Sequence, residues 1–221
     1  MKKNEEYIVT CIDDTDLNSG VVKIDDMVVF VPNLLIGEKA KIKIVKVNKK
    51  YAFGIITQLL KPSINRQELT CEVAKTCGGC QLQHMKYAYQ LDYKYKHVKK
   101  LFEDIEVKPI LGMDSPWYYR NKAQFPVKIK DGKVLMGFYR QHSNDVVTCK
   151  ECKIQDFTIN KIFGFIQKHI TIEMAEGLRH IFIRHSSTDE IQVVFIGKNE
   201  KNIFSLSKLL KNTFSNITSI V

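Results

Sequence analysis

Cys71, Cys77 and Cys80 lie in the string Cys71-Glu-Val-Ala-Lys-Thr-Cys77-Gly78-Gly79-Cys80-Gln81-Leu-Gln83-His84, and no other stretch constrains the fold so tightly. Three thiols at x5 and x2 spacing are arranged to meet an inorganic centre, because an x2 gap lets two thiolates converge. Gly78 and Gly79 offer positive φ values and close backbone approach, which a turn around such a centre uses. A fourth ligand has to come from elsewhere, and Cys149-Lys-Glu-Cys152 offers two. The two x2 pairs could also form a zinc ribbon. However, 68 residues separate them, against about 15–20 in that fold, and Cys71 would have no task. Three clustered thiols and one distant one favour a [4Fe–4S] cluster, in which each iron takes one thiolate.

A disulfide framework is the competing use of six cysteines. The start, Met1-Lys-Lys-Asn-Glu-Glu, is polar and lacks the apolar h-region of a secretory signal. No apolar run is long enough to cross a bilayer. The expectation is therefore a cytoplasmic protein with no membrane association, in which thiols stay reduced and serve metal. Cys11, alone in an expected strand, reads as a small core residue. The net charge is +10; residues 1–60 carry nine Lys against eight acids, which leaves +9 to residues 61–221. That excess suggests a polyanion, with nucleic acid the first candidate.

Residues 5–60 read as short strands: Tyr7–Ile12, a hairpin of Val21–Ile24 and Met27–Val31 about Asp25-Asp26, then Lys39–Val47 and Tyr51–Thr57. In the third of these, Ala40, Ile42 and Ile44 face one side and Lys39, Lys41 and Lys43 the other. Five short strands of period two predict a small closed barrel. Lys61-Pro62-Ser63 marks its end. From Tyr87 to Ile105 the apolar residues Tyr87, Leu91, Tyr95, Val98, Leu101, Phe102 and Ile105 predict an amphipathic helix packed on that stripe. Beyond it we expect a hairpin of Tyr118–Ile129 and Val134–Arg140 turning at Asp131-Gly132. A helix from Phe157 to Ile170 striped by Ile159, Ile162, Phe163 and Ile166 should follow, then strands Leu178–Arg184 and Glu190–Ile196, and a helix Asn202–Lys211. Ser219-Ile220-Val221 begins a strand with nothing after it, which suggests truncation.

The cysteine string, with Gln83-His84 behind it, resembles the iron–sulfur signature of the TrmA/RumA-type RNA (uracil-5-)-methyltransferases. Gly20-Val-Val-Lys-Ile-Asp-Asp-Met-Val-Val-Phe-Val-Pro-Asn-Leu-Leu-Ile-Gly-Glu38 resembles a TRAM domain, the small RNA-binding barrel at the front of many of these enzymes. Tyr119-Arg120-Asn121-Lys122, Gly137-Phe138-Tyr139-Arg140 and Cys152-Lys-Ile-Gln155 are similar to blocks of the family's central domain. The resemblance selects Cys152 as fourth ligand, since a cysteine before x-Ile/Leu-Gln is the family pattern and Cys149 falls where an aliphatic residue is usual. Asn144 stands where the family often has histidine.

The resemblance implies an all-β, OB-like TRAM barrel over residues 1–62 and an α+β central domain over 63–221 that holds a [4Fe–4S] cluster on Cys71, Cys77, Cys80 and Cys152. The implied activity is S-adenosylmethionine-dependent methylation of uracil C5, with 23S rRNA as the expected substrate. Uracil C5 is not nucleophilic until a thiolate adds at C6, and the target base must leave its stack. The family carries the thiolate, the acid and the S-adenosylmethionine site in a C-terminal Rossmann-like domain. That domain is expected to be absent from this chain, to be its intramolecular partner in the whole protein, and to leave this segment inactive alone. We assign no catalytic or cofactor-binding residue here. Arg120, Lys122, Lys128, Lys130, Lys133 and Arg140, gathered about one hairpin with only Asp131 to oppose them, are the candidates for binding structured RNA; a solvated hairpin is the plainer alternative. A monomer is expected. The competing functions are a stand-alone RNA-binding protein with a structural zinc or iron–sulfur site, and a ferredoxin-type electron carrier, which a single cluster in so basic a chain disfavours.

Overall fold

The computed structural model describes residues 1–102, 104–198 and 200–221, with the backbone alone at 200–202. These residues gather into two compact units. The first comprises Met1–Leu69 and Gln81–Gly112, the second Thr70–Cys80 and Met113–Val221.

The first unit is built on β1 (Glu6–Thr10), β2 (Asp13–Asp14), β3 (Ser19–Ile24), β4 (Met27–Pro32), β5 (Lys39–Val47) and β6 (Tyr51–Lys61), in the order β1-β5-β6-β4-β3-β2. Neighbours are antiparallel except β4 and β6. β1 pairs with β5 at one edge; two residues on, the Ile12 N–H donates to Val21 O and β2 pairs with β3 at the other. One stretch of chain thus serves both edges and closes the sheet into a small barrel. The alternation in β5 is realised, with Ala40, Ile42 and Ile44 fully buried and Lys39 exposed. The hairpin turns at Asp25-Asp26, with Ile24 opposite Met27. Cys11 is a core residue, and burial pushes its thiol up to about 11.

Helix α1 (Tyr87–Leu101) belongs to this unit, but the expected stripe is not its main packing face. Tyr93, off that stripe, is its buried residue. Its hydroxyl donates to Thr15 O and accepts from the Asn18 N–H, so one ring satisfies two backbone groups of the barrel, which no aliphatic stripe residue could do. Leu91 and Tyr87 instead meet Gly112, Tyr95 Oη donates to Val107 O, and Val98, Leu101, Phe102 and Ile105 are exposed. The helix ends at Leu101; the expected run to Ile105 passes through Glu103, which lies outside the described residues.

The second unit orders β7 (Lys122–Lys130), β8 (Lys133–Tyr139), β9 (Val146–Thr148), β10 (Leu178–His185), β11 (Ile191–Gly197) and β12 (Ile217–Ile220) as β12-β11-β10-β7-β8-β9. Only the β11–β12 pair is parallel. The expected hairpin forms with Lys130 opposite Lys133, and Asp131 and Gly132 take φ of 50° and 67°, the two left-handed residues a tight hairpin turn requires. α2 (Phe157–His169) buries Ile159, Ile162, Phe163 and Ile166, the predicted stripe, and Phe163 stacks on Phe125 of β7. Asp156 caps α2, its Oδ1 accepting from the Thr158 and Ile159 N–H groups at 2.8 and 3.3 Å. α3 (Ile172–Ala175) and α4 (Glu200–Thr213) complete the core through Ala175, Ile203, Leu206 and Leu210. Alternate strand residues, among them Ala123, Phe125, Val127, Ile181, Ile183 and Val193, point into that core; the others occupy the opposite face of the sheet.

Candidate metal centre

The cysteine string lies in the second unit as a chain of tight turns. The Ala74 N–H donates to Cys71 O, and the Thr76 and Cys77 N–H groups both donate to Val73 O. Val73 packs on the unit's core and anchors them. Cys77 pairs with Arg140, and the Gly78 N–H donates to Tyr139 O at 2.9 Å, so the loop is laid along the end of β8. Neither Gly78 nor Gly79 takes the expected positive φ. Gly78 is needed for contact instead: an added Cβ would stand 3.2 Å from Tyr139 O and Gln141 Cα, while at Gly79 it would meet only Cys77 Sγ at 3.4 Å.

The distant segment is held to the same place. Glu72 Oε1 accepts from the Lys150 N–H at 3.0 Å. On α2, Asn160 clamps Cys152: its Oδ1 accepts from the Cys152 N–H at 2.9 Å, and its Nδ2 donates to Cys152 O and to Gln155 O. Arg120 and Gln155 form a bridge, and the buried Gln155 Oε1 has no hydrogen-bond partner among the described residues. Asn160 and Glu72 left no signal in the sequence, because neither belongs to a periodic or spaced pattern.

Cys71, Cys77, Cys80 and Cys152 are partly buried, and every pair of them lies within electrostatic reach. Burial first, then the Cys152, Cys77 and Cys71 thiols, pushes Cys80 up to about 11, against the opposing charge of Arg120. Burial, opposed by the Gly79 N–H, raises Cys77; burial, opposed by the Ile154 and Gln155 N–H groups, raises Cys152. Such a set is costly to ionise by itself and is relieved by a cationic centre, which draws the protons off. Cys149 also feels Cys152, Cys77 and Cys71, but its side chain belongs to the apolar core, and burial pushes it up to about 12. Among the described residues no three His, Cys, Asp or Glu side chains converge tightly enough to hold a metal ion. A single zinc would need sulfurs about 2.3 Å from one point; a four-iron cluster spreads its thiolates over four metals.

The six basic candidates are all exposed but do not form one patch. Lys130 and Lys133 face each other at the β7–β8 turn. Arg140 and Arg120 lie at the opposite end: Arg140 pairs with Cys77, and the Arg120 charge acts on Cys80. Lys122 stands over the Phe182 ring, 5.0 Å from its centroid, and Lys128 Nζ donates to Asn144 O.

The TRAM domain family matches residues 3–57. The chain is 40% identical to a protein of Oceanobacillus iheyensis named as an uncharacterized RNA methyltransferase, over 100% of this chain and 52% of that one. Proteins of the same description from Staphylococcus epidermidis (39%, over 100% and 52%) and Clostridium tetani (37%, over 91% and 47%) are similar to it as well. A solved structure, the Pyrococcus abyssi tRNA (uracil-54, C5)-methyltransferase in complex with S-adenosyl-L-homocysteine, matches with a TM-score of 0.60 at 23% identity, over 90% of this chain and 48% of that one, a likeness of fold. The chain spans about half the length of the curated relatives it matches. The chain thus carries a TRAM domain at residues 3–57 and is similar along its whole length to proteins named as RNA methyltransferases.

Proposed function

We propose that the chain is the RNA-binding and cluster-bearing portion of an S-adenosylmethionine-dependent RNA (uracil-5-)-methyltransferase. The observation that supports this reading is that Cys71, Cys77, Cys80 and Cys152 are partly buried and within electrostatic reach of one another, in a chain akin to RNA methyltransferases along its length. Residues 1–62 serve as the RNA-binding barrel, and residues 63–221 carry the cysteines and the basic hairpin. The three thiols of the loop and the thiol of Cys152 hold a [4Fe–4S] cluster. When bound, the cluster would supply a covalent tie between loop and segment; redox work is the second reading. Asn160 fixes the Cys152 backbone, and Glu72 joins the loop to Lys150.

The methyl-transfer chemistry falls to the length of the relatives that this chain does not span. Cys11, the one cysteine away from the centre, is a buried thiol held near 11 and is protonated at neutral pH, unsuited to attack uracil C6. The substrate is structured RNA in the cytoplasm, gripped by phosphate contacts and shape. 23S rRNA is the first reading. The archaeal neighbour is named for tRNA, so tRNA is the second.

Anaerobically purified chain should contain about four iron and four sulfide per molecule, as one [4Fe–4S] centre demands. Ser at Cys71, Cys77, Cys80 or Cys152 should each release the iron, and Cys149→Ser should retain it. Stoichiometric zinc without sulfide would overturn the cluster and favour a zinc-stabilised RNA-binding protein.

A further inference from the structure

One face of the second unit's sheet is packed by α2, α3 and α4; among the described residues none of these helices buries the outward positions Lys122, Gln124, Arg184 and Gln192, which are exposed. An antiparallel sheet with one solvated face ordinarily alternates apolar-in with polar-out. Here the outward positions carry rings and aliphatic groups beside cations. Tyr139 and Ile196 are each 39% exposed, and Phe182 and Val194 are half-buried. Register sets Phe182 between Gln124 and Val194, and Arg184 between Lys122 and Gln192. Tyr139 Oη lies 3.0 Å from His180 Nε2, with the two rings edge to face. Burial, then the charge of Arg179, lowers His180, so this ring is neutral at pH 7. Strands β7, β8, β10 and β11 contain no Asp or Glu at all.

We propose that this outward face binds single-stranded RNA, with bases stacked on Phe182 and on the Tyr139–His180 pair and with Lys122 and Arg184 against the neighbouring phosphates. A sheet that presents rings between cations, with no acid on those strands, suits a polyanion whose bases are splayed out; paired RNA hides its bases and offers only backbone. Lys122, now over the Phe182 ring, has the reach to follow a phosphate when a base takes its place. The Gly78–Tyr139 hydrogen bond ties the strand that presents Tyr139 to the cysteine loop, so this surface leans on the candidate metal centre. The inference rests on the reading of the chain as an RNA-binding portion and specifies the part of a structured RNA that this face takes, its unpaired stretches.

The test is fluorescence anisotropy of a labelled single-stranded 12-mer RNA, alone and annealed to its complement, titrated with the 221-residue chain at several salt concentrations. The single strand should bind about tenfold or more tightly than the duplex, and Tyr139→Leu and Phe182→Leu should each weaken it by about tenfold with the salt dependence unchanged. Arg184→Gln should lower the salt slope by about one. Ile196→Glu, at an exposed position outside the core, should also weaken binding, and keeps the test open if a Leu variant fails to fold. RNA binding that is equal for duplex and single strand, or untouched in folded variants, overturns the platform but leaves the RNA reading standing, with the face free for a protein partner. No RNA binding by the parent chain overturns both.

Discussion

Glu38 is a carboxylate with no exposed surface, kept charged by a full set of donors. Arg66 donates Nε to Oε1 and Nη2 to Oε2, both at 2.6 Å; the Ser63 N–H adds to Oε1 and the Leu35 N–H to Oε2. Burial alone would raise its pKa, but the Arg66 fork and the two N–H groups outweigh burial and leave it below the ordinary value. A carboxylate lowered by folding contributes stability that is present above the ordinary carboxylate value, and that stability fades as pH falls through the lowered one. Glu38→Gln keeps the shape but leaves Arg66, with its side chain only 19% exposed, without a countercharge. The expected cost is about 3 kcal/mol in urea unfolding, with part of the acid sensitivity gone. A loss under about 1 kcal/mol would mean that the pair is as dispensable as an exposed ion pair.

At the scale of elements, the cysteine loop keeps its course because β8 receives it without a side chain at Gly78. Gly78→Ala drives a methyl group toward the Tyr139 carbonyl and the Gln141 backbone, both fixed by strand pairing and by the Gln141–Thr76 hydrogen bond, whereas Gly79→Ala meets one sulfur at ordinary distance. Alanine at 78 should destabilise the unit by about 1–2 kcal/mol and reduce iron retention; alanine at 79 should do neither. Equal melting temperatures and iron content for the two variants would refute this account of the loop. The sequence made such elements legible where period or turn chemistry is local: the β5 alternation, the α2 stripe and the Asp131-Gly132 turn all stand as read. α1 departs from its apolar stripe because its buried ring is chosen by two backbone groups of the barrel, Thr15 O and the Asn18 N–H, 78 and 75 residues away in sequence. The spacing of Cys71, Cys77 and Cys80 marked the loop as a candidate ligand set, but the Asn160 clamp on Cys152 and the spread of the six basic residues depend on tertiary contacts that leave no period.

Across the whole molecule the two units should answer pH in opposite senses around pH 6.5, since folding lowers His84 in the first and raises His185 in the second. His84, in the first unit, is 6% exposed, and burial, then the Arg66 charge, lowers it to about 4. Its unfolded form binds a proton below about 6.5 while the folded form does not, so the first unit loses stability as pH falls from 6.5 toward 4, by up to about 3 kcal/mol. In the second unit burial would lower His185, but its ring bridges Asp189 at 2.8 Å and Asp156 at 2.9 Å, and these contacts raise it above the ordinary value. That contribution is fully present below 6.5 and is lost as pH rises through the raised value. His180, also in the second unit, is lowered and so acts only below 6.5, outside that window. Amide exchange resolved by unit, corrected for intrinsic pH dependence, should show the first unit gaining protection from pH 4.5 to 6.5 and the second losing it from 6.5 to 8. His84→Leu should flatten only the first slope and His185→Gln only the second. A shared slope in both units, unmoved by either substitution, would show that these two rings do not govern the response.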